Sequence, residues 1–242
     1  MDGQITLSVP RGALKAINGL LLSSWINPKY EDRRLSIEPI QVNFRGNLWP
    51  YQQKALANMQ GLDQGVLQAG TGSGKTVMAL ALLAERKQPV LILVHGKELM
   101  HQWAERIRSF LEVEPGLIGD GNFDVQPVSV GIVNTVQSRL KELAPLFGQV
   151  IVDECYRCPA DMFSSCVNYF PAKYRTELSA TPYRRDRLTR VIEFFVGPTL
   201  HRVSQKNLEK SGAILKPEII TRRTDFFIRE TRRKIIRTCS RN

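Results

Sequence analysis

Four cysteines and three histidines in 242 residues leave little material for a metal or disulfide framework. Cys155 and Cys158 form one CxxC pair, but the chain has no second pair, and His95, His101 and His201 are too dispersed to complete a zinc site. Apolar runs are short, and none approaches the roughly 20 residues needed to span a bilayer. The opening MDGQITLSVP lacks the basic start and apolar stretch of a secretory leader. No internal repeat or low-complexity linker is visible. These absences set the expectation of a cytoplasmic globular protein with no membrane partner.

What is present is an ordinary core-forming composition, 43% hydrophobic and 24% charged, enough for one generous domain with a small appendage. The formal charge is +11, and it is unevenly placed. Residues 201–242 hold 12 Lys and Arg against 4 Asp and Glu, so most of the excess lies in that tail. Such a tail suits a polyanion, which it would attract without regard to sequence, or else it is simply solvated.

Residues 1–46 mix strand-like text (ITLSV, RLSIEPIQVNF) with an amphipathic helix (RGALKAINGLLLSSW). They read as a small appendage that either touches nucleic acid or packs on the edge of the larger domain. From residue 47 the rhythm becomes strand, helix, strand. Strand-like runs are Gly65–Ala69, Val90–Val94, Val128–Val133, Gln149–Asp153 and Thr176–Ala180. Between them lie the helical patterns TVMALALLAERK, KELMHQWAERIRSFL, TVQSRLKELAPLF and PADMFSSCVNYF. Continuous Val/Ile/Leu strands separated by amphipathic helices imply an α/β fold, a parallel sheet covered on both faces. Ligands then bind at the C-terminal ends of the strands.

The strongest motif stands at such an end. Ala69-Gly70-Thr71-Gly72-Ser73-Gly74-Lys75-Thr76 comes directly after one strand and opens a helix. Glycines let backbone N–H groups curl around a phosphate, and the helix N-terminus faces it. Lys75 would reach the β- and γ-phosphates of ATP, and the Thr76 hydroxyl would ligate Mg²⁺. A second apolar strand ends in Asp153-Glu154. Asp153 can hold the same Mg²⁺ through water, and Glu154 can orient and deprotonate the attacking water. The next strand ends in Leu178-Ser179-Ala180-Thr181-Pro182, whose hydroxyls can bond those carboxylates.

Three motifs in this order resemble the first RecA-like domain of superfamily 2 helicases, in the DEAD/DEAH-related branch, with most likeness to repair-type and phage or mobile-element helicases. The resemblance covers roughly residues 44–203 through LWPYQ, GVLQAGTGSGKT, VLILVHGKELMHQW, GIVNTVQS, GQVIVDEC and LSATPYRRD. It implies a nucleic-acid-dependent ATPase, acting on DNA rather than RNA. It implies that Gln52, beside Tyr51, reads the adenine edge. His95, Gly96 and Gln102 match one segment that touches the nucleic-acid backbone; Thr135, Gln137 and Ser138 match another. For Gln102 and Gln137 an ordinary helix-surface role stays open. Ser179 and Thr181 match residues that couple hydrolysis to strand movement, as does Tyr156 by position.

Departures from the pattern carry expectations of their own. Tyr156 replaces the usual His or Asp, which puts coupling rather than hydrolysis in question. Glu177 stands where relatives commonly have Gly; facing inward, it would repel Asp153 and Glu154 and raise a pKa. Trp49 stands where relatives often have Arg. The expected division is an appendage over 1–46, the RecA-like domain over 47–203 and a basic tail over 204–242. No second RecA-like domain, with its arginine fingers, can be read in the text. A separate second domain or subunit is therefore an expected partner. Two competing readings remain: a half-motor that binds ATP or nucleic acid without efficient turnover, and an unrelated P-loop kinase or transporter ATPase.

Overall fold

The computed structural model describes residues 9–154, 160–180, 194–204, 208–209, 212–213 and 221. Eight strands form one sheet: β1 (Gln64–Ala69), β2 (Val90–Val94), β3 (Gly116–Gly119), β4 (Asn122–Phe123), β5 (Val128–Ile132), β6 (Gln149–Asp153), β7 (Tyr174–Ser179) and β8 (Thr199–Val203). Their order is β4-β3-β5-β2-β6-β7-β1-β8, parallel throughout except for the short β3–β4 pair. The α/β expectation holds. Among the described residues no helix is long and apolar enough to cross a membrane.

The helices are α1 (Leu14–Ser23), α2 (Pro50–Gln60), α3 (Lys75–Arg86), α4 (Lys97–Leu111), α5 (Val133–Gln137), α6 (Leu140–Leu143) and α7 (Ala160–Tyr169). Alternation along each strand divides the core in two. Val90, Ile92 and Val94 of β2 join Ile151 and Leu178 against Met59, Leu80, Leu83, Met100, Trp103 and Ile107 of α2, α3 and α4. Leu91 and Leu93 join Val150 and Val152 on the opposite face, against Val136, Leu143 and Val167 of α5, α6 and α7. Both faces are covered, so β2 and the inner positions of β6 are wholly apolar and their sequence alone marks them, whereas the equally central β7 buries Arg175, Thr176 and Glu177.

Two expectations need correction. Residues 34–44 do not form a ladder strand; among the described residues, one bridge, Leu35 to Ala172, pairs there. Pro39 has no N–H to give. The segment is instead held at separated points. The Gln88 amide accepts from Ile37 N at 2.7 Å and donates to Ile37 O at 2.9 Å, acting as a one-residue strand partner. Ile40 N bonds Lys87 O at 2.8 Å, and Val42 enters the core. The helix expected over TVQSRLKELAPLF is also broken. The Ser138 hydroxyl turns back to Thr135 O, Arg139 leaves helical dihedrals, and Pro145 sits in a 3₁₀ turn. The expected strand ITLSV falls largely outside the described residues.

Candidate active site

The phosphate-loop sequence forms a tight turn between β1 and α3. Gly72 and Gly74 have φ of 79° and 75°, the left-handed region that glycine enters without strain. At Gly74 a Cβ would also lie 2.5 Å from Gln52 Nε2. Ser73 N donates to Gly70 O at 3.2 Å, closing the turn, and Met78 N donates to Gly74 O at 3.0 Å, starting the helix. The first turn of α3 carries no acidic side chain, so its positive end is not neutralised by the helix itself. Inside the loop, the Ser73 hydroxyl is buried without a hydrogen-bond partner.

Lys75 begins α3 and donates from Nζ to Ala69 O at 3.1 Å. Burial lowers its pKa, while Asp153 and Glu154 pull the other way, so the three groups share one electrostatic neighbourhood. Thr76 is the next residue on the same half-buried turn. Asp153 closes β6, two strands across the sheet from β1, and is almost fully buried. Its carboxyl is pushed up to about 6. Burial is the main cause; the Trp103 hydrogen bond opposes it, Glu154 adds to it, and Lys75 opposes it. Glu154 turns away from the strand at φ 51°, with its N–H on Leu178 O at 3.3 Å.

Gln52 lies in the first turn of α2 and is buried. Its Oε1 accepts from Trp49 N at 2.9 Å, and its Nε2 donates to Ser73 O at 3.1 Å. The Tyr51 hydroxyl donates to the same carbonyl at 3.0 Å. The pair thus grips the phosphate loop, a task the sequence did not disclose. Ser179, at the end of β7, is in register with Gln68 of β1. Tyr156 and Thr181 lie outside the described residues.

The two segments expected to meet nucleic acid emerge side by side. β2 and β5 are neighbours, so His95 and Gly96 after β2 stand beside Thr135 and Gln137 on α5. His95 Nδ1 is buried without a hydrogen-bond partner. Gly96 caps α4, Gln102 is exposed on that helix, and Gln137 Nε2 reaches Ser165 Oγ at 3.3 Å.

Glu177 does not share the face of Asp153, which was the condition for the expected repulsion. It is in register with Val152, on the face of the sheet opposite the side to which Asp153 and Leu178 project. Burial and Glu154 raise the Asp153 pKa, and Glu177 is not among its causes. Sequence reasoning also missed Trp103, whose Nε1 donates to Asp153 Oδ2 at 2.8 Å. Its inward position in the row Met100, Trp103, Ile107 was the available signal.

Residues 45–184 match the family described as the res subunit of type III restriction enzymes. The chain is 33% identical over 158 residues to a DNA 3'-5' translocase XPB2 of Sulfurisphaera tokodaii, covering 65% of this chain and 36% of that one. It is 32% identical over 156 residues to a probable helicase D10 of Escherichia phage T5, covering 59% and 35%. The chain spans about a third of the length of the curated relatives it matches. The UvsW helicase of bacteriophage T4 shares the fold, with a TM-score of 0.59 at 20% identity over 78% of each chain. A Sulfolobus solfataricus SWI2/SNF2 ATPase core in complex with double-stranded DNA gives a TM-score of 0.52 at 21% identity, over 66% of this chain and 38% of that one. The family match covers more than half of the chain, so the chain belongs to the type III restriction enzyme res-subunit family, and its α/β sheet is that of the first RecA-like domain of superfamily 2 helicases.

Proposed function

We propose that this chain is the ATP-binding half of a DNA-dependent helicase or translocase motor. One observation carries the reading. Lys75, Asp153 and Glu154 gather at the C-terminal edge of the sheet, His95 and Gly96 directly follow the neighbouring strand β2, and Thr135 and Gln137 lie on α5, which follows β5. Relatives named as DNA translocases and helicases support DNA as the polymer, against one relative, of Acanthamoeba polyphaga mimivirus, named as a putative ATP-dependent RNA helicase.

The residues fit ATP and its metal. Backbone N–H groups of Gly70–Thr76 would bond the phosphates, the orphan Ser73 hydroxyl would gain a partner, and Lys75 would balance the β- and γ-charges. Thr76 and Asp153 would hold Mg²⁺, which supplies charge neutralisation for the leaving phosphate. Glu154 would position the attacking water and take its proton. Gln52 could reach adenine only by surrendering or sharing its bond to Ser73 O. A second RecA-like domain, in the same polypeptide or a separate subunit, would supply arginine fingers, worth about 10³–10⁵ in rate. Within this scheme residues 47–203 form the motor domain, 1–46 an appendage and 204–242 a basic tail.

The test is nucleotide hydrolysis and fluorescent-oligonucleotide binding, each measured with single-stranded DNA, single-stranded RNA and neither. ATP-dependent changes in DNA affinity, with any hydrolysis stimulated by DNA, support the motor. Tight ATP and DNA binding with neither effect supports the half-motor reading, which Tyr156 motivates.

A further inference from the structure

Helix α4 has two distinct faces. His101 and Gln102 are exposed, while Met100, Trp103, Ala104, Ile107 and Leu111 are buried. Trp103 is among the largest fully buried side chains of the molecule. A buried indole needs an acceptor for its N–H. The acceptor here is Oδ2 of Asp153, the carboxylate assigned to Mg²⁺, at 2.8 Å. A bond to a carboxylate is shorter and stronger than one between neutral groups. It therefore fixes where that carboxylate stands.

The rest of α4 is placed to transmit movement to this bond. The helix begins immediately after His95 and Gly96, and Gln102 is the chain neighbour of Trp103. Its inner face packs on β2, β5 and α3, and α3 begins at Lys75. A helix shifts as a unit, so a displacement imposed at Gly96 or Gln102 is passed to Asp153 by the Trp103 indole.

We infer that Trp103 is a positioning residue that transmits nucleic-acid contact on α4 to the metal-binding carboxylate Asp153. The inference rests on the reading that His95, Gly96 and Gln102 meet nucleic acid. Trp103 itself touches neither ligand. By linkage, whatever the oligonucleotide does to nucleotide affinity, nucleotide does equally to oligonucleotide affinity.

The experiment is a titration of the full chain with a fluorescent ATP analogue and Mg²⁺, with and without saturating single-stranded oligodeoxythymidine. The unaltered chain should show a coupling factor in the range of about 5–150-fold. Trp103→Phe removes the N–H and keeps a buried ring; its coupling factor should fall to within about twofold of unity, whatever the loss of the Asp153 bond does to nucleotide affinity by itself. Benzothienylalanine at position 103 has the indole shape without the N–H and should behave like Trp103→Phe, which covers the case in which the Phe variant does not fold. Fluorotryptophan at 103 keeps the N–H and should preserve coupling. Undiminished coupling in the benzothienyl variant overturns the inference, as does an unaltered chain that binds both ligands independently. Failure of the unaltered chain to bind the oligonucleotide at all removes the nucleic-acid reading first, and the coupling with it.

Discussion

Gln52 donates its Nε2–H to the carbonyl of Ser73 at 3.1 Å, joining the first turn of α2 to the centre of the phosphate loop. The other end of the same amide holds Trp49 N at 2.9 Å. Gln52→Ala should therefore destabilise the nucleotide-free fold by about 1–3 kcal/mol, because two backbone groups lose a partner. Gln52→Glu, which keeps the acceptor for Trp49 but loses the donor, should fall between. Urea unfolding monitored by circular dichroism measures both, and unshifted midpoints would remove Gln52 from the loop's support.

Gly74 offers a second test of the same contact. Its φ is 75°, and an added Cβ would meet Gln52 Nε2 at 2.5 Å. Gly74→Ala should cost about 1–3 kcal/mol from left-handed strain and the displaced amide, with weakened nucleotide binding. Gly61→Ala is the matched control, since nothing lies within 4 Å of its Cβ and its φ is −83°. It should stay within about 0.5 kcal/mol of the unaltered chain. Equal effects of the two substitutions would contradict the geometry.

Asp153 makes the stability of the nucleotide-free protein sensitive to pH. Its pKa is raised from 3.8 to about 6, chiefly by burial. The folded state thus holds the proton more tightly than the unfolded state. The stability this brings is fully present below pH ~4 and is lost as pH rises through about 6. Asp153→Asn, which can still accept from Trp103, should stabilise the nucleotide-free protein at pH 8 by something on the order of 1–3 kcal/mol and have little effect near pH 4. Thermal melts at the two pH values decide it; a pH-independent difference would count against burial as the cause.

Much of this architecture is legible in the sequence, and the rest is hidden for identifiable physical reasons. Val90–Val94 and Gln149–Asp153 match their strands end to end because both faces are buried and every position between the strand ends is apolar. β3 and β4 escape detection because four and two residues, glycine-flanked and at the sheet's edge, leave no periodicity to read. β8 carries His201 and Arg202 on an edge strand and reads as loop. Lys75 and Asp153 are legible because chemistry fixes their residue type and place. Trp103 is not, since an indole in an apolar row looks like packing until its N–H is traced to Asp153.

The basic tail bears on polyanion affinity, and Leu208 limits how far back it can be cut. Leu208 is buried in the main core cluster, with Ala213 packed beside it, so a truncation at 204 would remove core material. Removing 214–242 takes nine basic and three acidic residues and spares that packing. Provided circular dichroism shows the shortened chain folded, it should bind single-stranded DNA more weakly, with a salt slope shallower by roughly 0.7 for each phosphate it no longer neutralises. A folded chain with an unchanged slope would leave His95, Gln102 and Gln137 as the candidate contacts.

The central claim is that Lys75 and its loop hold a nucleoside triphosphate with Mg²⁺, and a fluorescent-nucleotide titration of the unaltered chain against Lys75→Ala tests it most directly. Removing a charge-assisted bond of about 1.5–3 kcal/mol predicts binding weaker by roughly 10–150-fold. The circular dichroism spectrum should stay unchanged, because the bond Lys75 gives up within the protein, to Ala69 O, is only partly buried. Equal affinity in the two proteins would contradict the account.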